Sequence, residues 1–151
     1  MDCYLDLRLT ADPEFPPTLL MNALFGKLHR RLVECGEGRI GVSFPDLGAG
    51  AALGERLRLH GSNADLAALM NDDWLTGMRD HLTVGAMASV PLHAQQRAVR
   101  RVQAKSSPER LRRRLIARKG CSQQEALLAI PDSAAEALDL PYLVLKSRST
   151  G

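Results

Sequence analysis

The basic residues of this sequence are concentrated in one segment of its second half. Ten of the 20 lysines and arginines lie between Arg97 and Lys119, where Glu109 is the only acidic residue. Ten basic residues against one acid give this segment a charge of +9, and the other 10 basic residues and 16 acids leave −6 for the rest. This separation of charge indicates that the second half has a polyanion as its partner.

Residues 107–119 predict a helix with one cationic face. Ser107 is the predicted N-cap, Pro108 the first helical residue and Gly120 the stop. At about 100° per residue, the basic side chains on one face are those of Arg110, Arg113, Arg114 and Arg118, and the apolar ones opposite are those of Leu111, Leu115 and Ile116. A solvated charged face is the alternative, but such faces normally mix signs, so nucleic-acid binding is favoured.

Two further groups could contact nucleic acid. Arg101 and Gln103 are two residues apart and would project from the same side of an extended segment, which suits hydrogen bonds to base edges, and Lys105 follows in the same basic segment. The last residues combine basic side chains with the hydroxyl groups of Ser147, Ser149 and Thr150. This composition can bind ribose and phosphate oxygens, although a solvated terminus is an equal alternative.

His29 is the histidine with the most suggestive surroundings. It lies at the border of the apolar stripe of a predicted helix, beside Lys27, Arg30 and Arg31. An imidazole in that place can stay accessible, and a neutral imidazole is well suited to take a proton near pH 7. From position alone, however, a structural histidine is favoured over a catalytic one.

The sequence contains no motif for metal-dependent, nucleotide-dependent or hydrolase chemistry. No pair of histidines has metal-ligand spacing, and the sequence contains no P-loop, GxSxG or GxGxxG, so no metal or other cofactor is predicted. Cys3, Cys35 and Cys121 have no CxxC spacing and are predicted to be small buried hydrophobes. No stretch has the roughly 18 consecutive apolar residues of a membrane helix, and the N-terminus lacks the build of a signal peptide, so a cytosolic protein is expected.

The first half predicts the order βαββαβ. Alternating apolar residues predict a first strand over 3–9, and helical spacing predicts a helix over 18–35. The later elements are strands over 39–44 and 55–60, a helix capped by Ser62 or Asn63, and a strand over 82–84. The predicted class is therefore α+β, with a ferredoxin-like subdomain over 1–88.

A smaller α/β subdomain is predicted over 89–151, with the arginine-rich helix as its main element. Ser122 and Glu125 fit a capping box for a further helix, and Asp132 is expected to cap a short turn. Residues 142–146 are predicted to form a strand.

Six segments together resemble a known family. They are MDCYLDLRL, DPEFPPTLLMNALFGKLH, RIGVSFPDL, LGERLRLH, RVQAKSSPERLRRRL and ALDLPYLVLKSRSTG. The sequence is similar along essentially its whole length to the type I-F (Csy) CRISPR repeat-processing endoribonucleases, least distinctively over 85–97. The resemblance implies an enzyme that grips the hairpin of a CRISPR repeat and cuts at the 3′ side of its stem without metal. It also implies that the enzyme then stays on the crRNA hairpin as a subunit of a surveillance complex.

The resemblance also implies roles for individual residues. His29 would act on the 2′-hydroxyl that attacks the adjacent phosphate, leaving a cyclic phosphate, and Ser147 would hold that ribose. Ser149 and Thr150 would touch the RNA nearby, and Arg101 and Gln103 would read base pairs at the bottom of the stem. The basic residues that would lie along the major groove are Arg113, Arg114, Arg118 and Lys119. Since an A-form major groove is deep and narrow, that helix should mainly contact phosphates.

Two departures from the family pattern are expected. Ala117 stands where the family pattern has a basic residue, which would remove one phosphate contact. Family members continue past the SRST segment with strands that complete the second subdomain and supply a tyrosine near the cleavage site. Against this background, a non-catalytic protein that binds structured RNA on the same platform is the alternative.

Overall fold

In a computed structural model, the described residues are 1–35, 38–48, 52–95, 98–100, 102, 107–136 and 138–145. They belong to two compact units. The first comprises Met1–Val99 together with the segment that begins at Leu140, and the second is Arg100–Asp139. The division of roles between 1–88 and 89–151 stays a prediction.

The first unit is built on one antiparallel sheet. Its strands within the described residues are β1 (Cys3–Leu9), β2 (Gly41–Ser43), β3 (Arg56–Gly61), β4 (Leu82–Val84) and β5 (Ala88–Ser89). The order is β2-β3-β1-β4, and β5 pairs with the start of β1. In the central pair, Leu5 lies opposite Leu59 and Leu7 opposite Leu57. Because side chains alternate along a strand, these leucines all lie on one face and are buried there.

Among the described residues, the same unit contains two α-helices. They are α1 (Pro17–Cys35) and α2 (Asn63–Met70). Leu20, Met21, Leu24 and Leu28 of α1 are buried at helical spacing and join the leucines of the sheet in one core. The N-cap of α2 is Ser62, whose Oγ accepts the backbone N–H of Asp65.

These elements confirm the predicted α+β class with the ferredoxin-like βαββαβ order. β2 is shorter than the predicted 39–44. It ends at Ser43 because the next residues turn: the Leu47 N–H donates to the Phe44 carbonyl, so the chain leaves the sheet before it can pair further with β3.

The second unit contains α3 (Pro108–Lys119) and α4 (Gln123–Ala129). The predicted boundaries of α3 are confirmed: Ser107 accepts the N–H of Arg110, and Gly120 ends the helix at φ 63°. At α4, Ser122 and Glu125 form the predicted capping box.

Two local predictions in the C-terminal part were wrong. Asp132 begins a short 3-10 helix (Asp132–Ala134), but its carboxylate binds Arg112 and makes no cap. Within the described residues 142–145 there is no strand. Leu143 packs against the core of the first unit, while Tyr142 and Val144 are exposed. The apolar run at 142–145 therefore belongs to an irregular segment that packs against the core through Leu143, rather than to a paired strand.

The prediction that all three cysteines are buried is correct for one of them. Cys3 is buried in β1, but Cys35, the last residue of α1, is exposed, and Cys121 is partly buried. Cys35 ends a helix whose last buried side chain is that of Leu28, about two turns earlier, so the core does not cover it. Within the described ranges, no helix has the length and apolar character needed to cross a membrane.

Candidate active site and nucleic-acid interface

His29 lies on the exposed side of α1. It directly follows the fully buried Leu28, and its own side chain is exposed. Among the residues that the structure describes, none forms a hydrogen bond or ion pair with the imidazole. No described side chain therefore occupies either ring nitrogen.

The cations beside His29 hold the helix in place. The Lys27 ammonium donates to the carbonyl of Thr76 at 2.7 Å, and the Arg31 guanidinium binds the Asp72 carboxylate at 2.6 Å. Residues two apart on a helix do not face one another, so these contacts lie away from the imidazole. They connect α1, the helix that carries His29, to the loop that follows α2.

Asn22 connects the C-terminal segment to the same helix. Its side-chain Oδ1 accepts the backbone N–H of Val144 at 2.9 Å. Leu143 packs against the core beside this contact. Ser147, Ser149 and Thr150 lie outside the described residues. The segment that leads to them is therefore attached to α1 at least as far as Val144.

α3 separates its basic from its apolar side chains as the projection predicts. Its exposed basic residues are Arg110, Arg113, Arg114, Arg118 and Lys119. Leu111, Leu115 and Ile116 are partly buried. The helix thus presents a row of cations to solvent and packs through its other side.

One arginine of α3 is structural. The side chain of Arg112 is 15% exposed; its Nε donates to the Ile130 carbonyl at 2.7 Å and its guanidinium pairs with Asp132. In contrast, the Arg113 side chain is 69% exposed and lies 4.0 Å from Glu109, a long ion pair in solvent that contributes little. The neighbouring arginines therefore have different roles.

The acids near α3 leave this row of cations largely uncompensated. The Glu125 carboxylate accepts the backbone N–H and the hydroxyl of Ser122, and these hydrogen bonds lower the pKa of Glu125. Asp132 is held by Arg112. Since both carboxylates have partners elsewhere, the exposed guanidinium groups are available for phosphate oxygens. Arg101, Gln103 and Lys105 lie outside the described residues.

The sequence matches a known family over nearly all its length. Residues 4–151 match the family model described as CRISPR-associated protein (Cas_Csy4). The chain is 59% identical to the "CRISPR-associated endonuclease Cas6/Csy4" of Pseudomonas aeruginosa (strain UCBPP-PA14) over 152 residues, which cover 100% of this chain and 81% of that protein. The chain belongs to the Csy4 family. The resemblance found in its six segments is confirmed.

A second Csy4-family relative is more distant. The "CRISPR-associated endonuclease Cas6/Csy4" of Escherichia coli (strain UTI89 / UPEC) is 43% identical over 150 residues, which cover 99% of this chain and 80% of that protein. Both relatives thus match along the stretch that carries His29 and α3.

The open face of the sheet in this Csy4-family protein holds a polar network that sequence reasoning missed. The Arg58 guanidinium donates to both Asp6 carboxylate oxygens at 2.6 and 2.8 Å and lies over the Tyr4 ring, 4.1 Å from its centroid. This bidentate pair lowers the pKa of Asp6. Two residues earlier in β3, the Arg56 guanidinium donates through two nitrogens to a single oxygen of Asp46. Since the acids neutralise these arginines, α3 is the better surface for a polyanion.

Proposed function

We propose that this protein is a CRISPR-associated endoribonuclease that binds the stem-loop of CRISPR repeat RNA and cleaves pre-crRNA at the 3′ base of the stem. The observation that carries the proposal is an exposed His29 without a hydrogen-bond partner among the described residues, in a chain 59% identical to a protein named as an endonuclease.

The proposed reaction is proton transfer at a ribose, without metal. His29 accepts the proton of the 2′-hydroxyl, the 2′-oxygen attacks the adjacent phosphorus, and the P–O5′ bond breaks. The departing 5′-oxygen takes up the proton that His29 has accepted, so the products are a 2′,3′-cyclic phosphate and a 5′-hydroxyl. Ser147 is proposed to hold the reacting ribose. All steps use side chains as acids and bases, so no metal or other cofactor is required.

RNA binding is proposed to depend on the second unit. Cations on the exposed face of α3 would bind phosphates along the stem, and Arg101 and Gln103 would contact base pairs at its bottom. The proposed contacts on α3 are those of Arg110, Arg113, Arg114, Arg118 and Lys119. Lys105, Ser149 and Thr150 are proposed to touch the RNA near the cleavage site.

The proposal extends to the fate of the product. An enzyme that holds a hairpin through several charge-assisted hydrogen bonds releases it slowly, because breaking them all at once is costly. The protein is therefore proposed to remain on the crRNA hairpin, in the cytoplasm, as a subunit of a type I-F surveillance complex.

A second candidate is a non-catalytic protein that binds structured RNA. One observation favours it: general bases are usually oriented by a further group, and no described residue orients His29. In that case α3 alone would carry the function.

Cleavage of a CRISPR repeat hairpin RNA in the presence of a chelator separates the two candidates. The unaltered protein should give two fragments, the 5′ one ending in a 2′,3′-cyclic phosphate by mass spectrometry, and His29→Ala should give neither. His93→Ala, which alters an exposed histidine elsewhere in the first unit, is the matched control. Binding without cleavage by the unaltered protein would establish the second candidate.

A further inference from the structure

A groove lies between α3 and α4, within the second unit. Its volume is about 450 Å³, inside the range of roughly 300–1,000 Å³ that is typical of small-molecule sites. Ile116 of α3 and Leu127 of α4 supply its apolar lining, and its polar lining includes Arg113, Gln123 and Gln124. The groove therefore combines apolar surface with groups that can donate and accept hydrogen bonds.

The two helices that form the groove are connected by a largely buried arginine. The Arg112 side chain, which also lines the groove, is 15% exposed, and its Nε donates at 2.7 Å to the Ile130 carbonyl at the end of α4. Ala126 of α4 is fully buried. Because these contacts form within the protein itself, a ligand does not have to bear the cost of ordering the groove.

Arg113 belongs both to the groove and to the exposed cations of α3. The α3 side chains that line the groove recur every three or four residues, as expected of one stripe along a helix: Glu109, Arg112, Arg113 and Ile116. On the helical projection, Arg113 lies at the border between this stripe and the exposed Arg110. A nucleotide whose phosphate binds Arg113 would therefore have its base next to the groove.

The side-chain amides of Gln123 and Gln124 are exposed, and in the part of the chain that the structure describes they have no hydrogen-bond partner. An amide offers an acceptor oxygen and two donor hydrogens, a combination that pairs with the edges of bases. Leu127, beside them in the groove, is 47% exposed. A flat apolar group that covered this leucine would remove its surface from water, which is favourable.

An unpaired nucleobase fits this chemistry. Side chains cannot read base edges in an A-form major groove, so α3 would contact the stem through phosphates, which carry no sequence information. Sequence-specific recognition of RNA instead uses unpaired bases, whose faces and edges are free. A protein partner would also cover an exposed leucine, but the largely uncompensated cations of α3 favour the anionic backbone of a nucleotide.

We propose that the groove between α3 and α4 binds one unpaired nucleobase of the repeat RNA, from the loop or from a single-stranded flank of the hairpin. The base packs on Leu127 and Ile116, its edge binds the amides of Gln123 and Gln124, and its phosphate lies on Arg113. This inference rests on the proposed function and adds to it a site that recognises a feature the paired stem does not have.

The first arm of the test alters the RNA. Abasic hairpins are prepared in which each unpaired nucleotide of the loop and flanks, one at a time, lacks its base but keeps its sugar and phosphate. One abasic hairpin should bind about 5- to 20-fold more weakly than the intact hairpin, the lower part of the range for a stacked base. Its position identifies the loop or a flank as the source. Equal affinity for all abasic hairpins would overturn the proposal.

The second arm alters the protein. Leu127→Ala and Gln124→Ala should each weaken binding of the intact hairpin about 3- to 10-fold. Neither should cause much further loss with the abasic hairpin identified in the first arm, because the contact is already absent there. Leu128→Ala is the matched control, since this neighbouring leucine of α4 is 84% exposed and lies outside the groove lining. It should bind both RNAs as the unaltered protein does.

The same fold-loss for the intact and the abasic hairpin in Leu127→Ala and in Gln124→Ala would overturn the proposal. Thermal midpoints show whether Leu127→Ala destabilises the second unit. Gln124→Ala changes an exposed side chain without a described partner, so it tests the groove even if Leu127→Ala does not fold.

The outcomes also separate this inference from the function on which it rests. An unaltered protein that binds the intact hairpin no better than a random-sequence duplex would overturn the proposed function together with the role of the groove. Selective hairpin binding and His29-dependent cleavage, beside equal affinity for all abasic hairpins, would overturn the role of the groove alone.

Discussion

The guanidinium of Arg112 pairs with the Asp132 carboxylate and, through Nε, donates to the Ile130 carbonyl at 2.7 Å. These contacts link α3 to the end of α4 and to the short 3-10 helix after it. One arginine in a run of three is thereby used for folding, while its neighbours Arg113 and Arg114 remain exposed.

This difference predicts opposite phenotypes for neighbouring substitutions. Arg114→Ala should weaken hairpin binding and reduce the slope of log Kd against log salt concentration by about one, because one phosphate contact is lost. Arg112→Ala should leave that slope unchanged and lower the thermal midpoint, since it removes a largely buried guanidinium together with its hydrogen bond to the Ile130 carbonyl and its ion pair with Asp132. Binding titrations over a range of salt concentrations and thermal melts measure both. An unaltered salt slope in Arg114→Ala would refute the contact.

Cleavage should depend on His29 far more than binding does. A general base contributes roughly 10²- to 10⁴-fold in rate, so His29→Ala should reduce the single-turnover rate constant by about that factor. Hairpin affinity should be nearly unchanged, because the cations of α3 supply the binding energy. The measurement is made in chelator, with His93→Ala as the control. A reduction of the same size in both variants would point to a general defect rather than to a lost base.

Much of the fold could be predicted because it is encoded locally. The strand Cys3–Leu9 follows from alternation, and α3 follows from a serine, a proline and a glycine at its ends. In both cases the deciding interactions lie within a few residues of one another in the chain. Such local interactions can be recognised from the sequence alone, so these two elements could be predicted.

The contacts that sequence reasoning missed are long-range. Asn22 and Val144 are 122 residues apart, and nothing in the spacing around either residue indicates the other. The predicted strand over 142–146 coincides with a run of apolar residues, which an irregular segment packed against a core can also contain. The pairing of Arg58 with Asp6 joins residues 52 positions apart and depends on strand register. At the candidate site, the position of His29 on α1 could be predicted, but not the attachment of the C-terminal segment.

Stability of the first unit should depend on the pair formed by Asp6 and Arg58. Asp6→Asn removes the charge of the acceptor and leaves a partly buried guanidinium without its counter-ion, which should cost about 1.5–3 kcal/mol of unfolding free energy.

The pKa of Asp6 is lowered, first by its hydrogen bond to Arg58, which also predicts that the stability of the first unit falls in acid. Its contribution is present above the ordinary value of 3.8 and is lost as pH falls further. Urea unfolding of both proteins tests this; equal free energies at neutral pH would contradict it.

Stability should also fall in mild acid through His60. Its Nε2 lies 2.7 Å from the Ser43 hydroxyl, and its pKa is lowered by burial first and by the Arg58 charge second, against an opposing effect of Asp6. The folded state therefore binds the proton less readily than the unfolded chain, and the unfolding free energy falls as pH drops below about 6.5.

His60→Gln keeps a polar partner for Ser43 but does not titrate, so the unfolding free energy of this variant should vary less between about pH 7.5 and pH 5.5. His93→Gln, at an exposed histidine, should keep the original dependence. Parallel pH profiles of the unaltered protein and His60→Gln would show that the proton binds elsewhere.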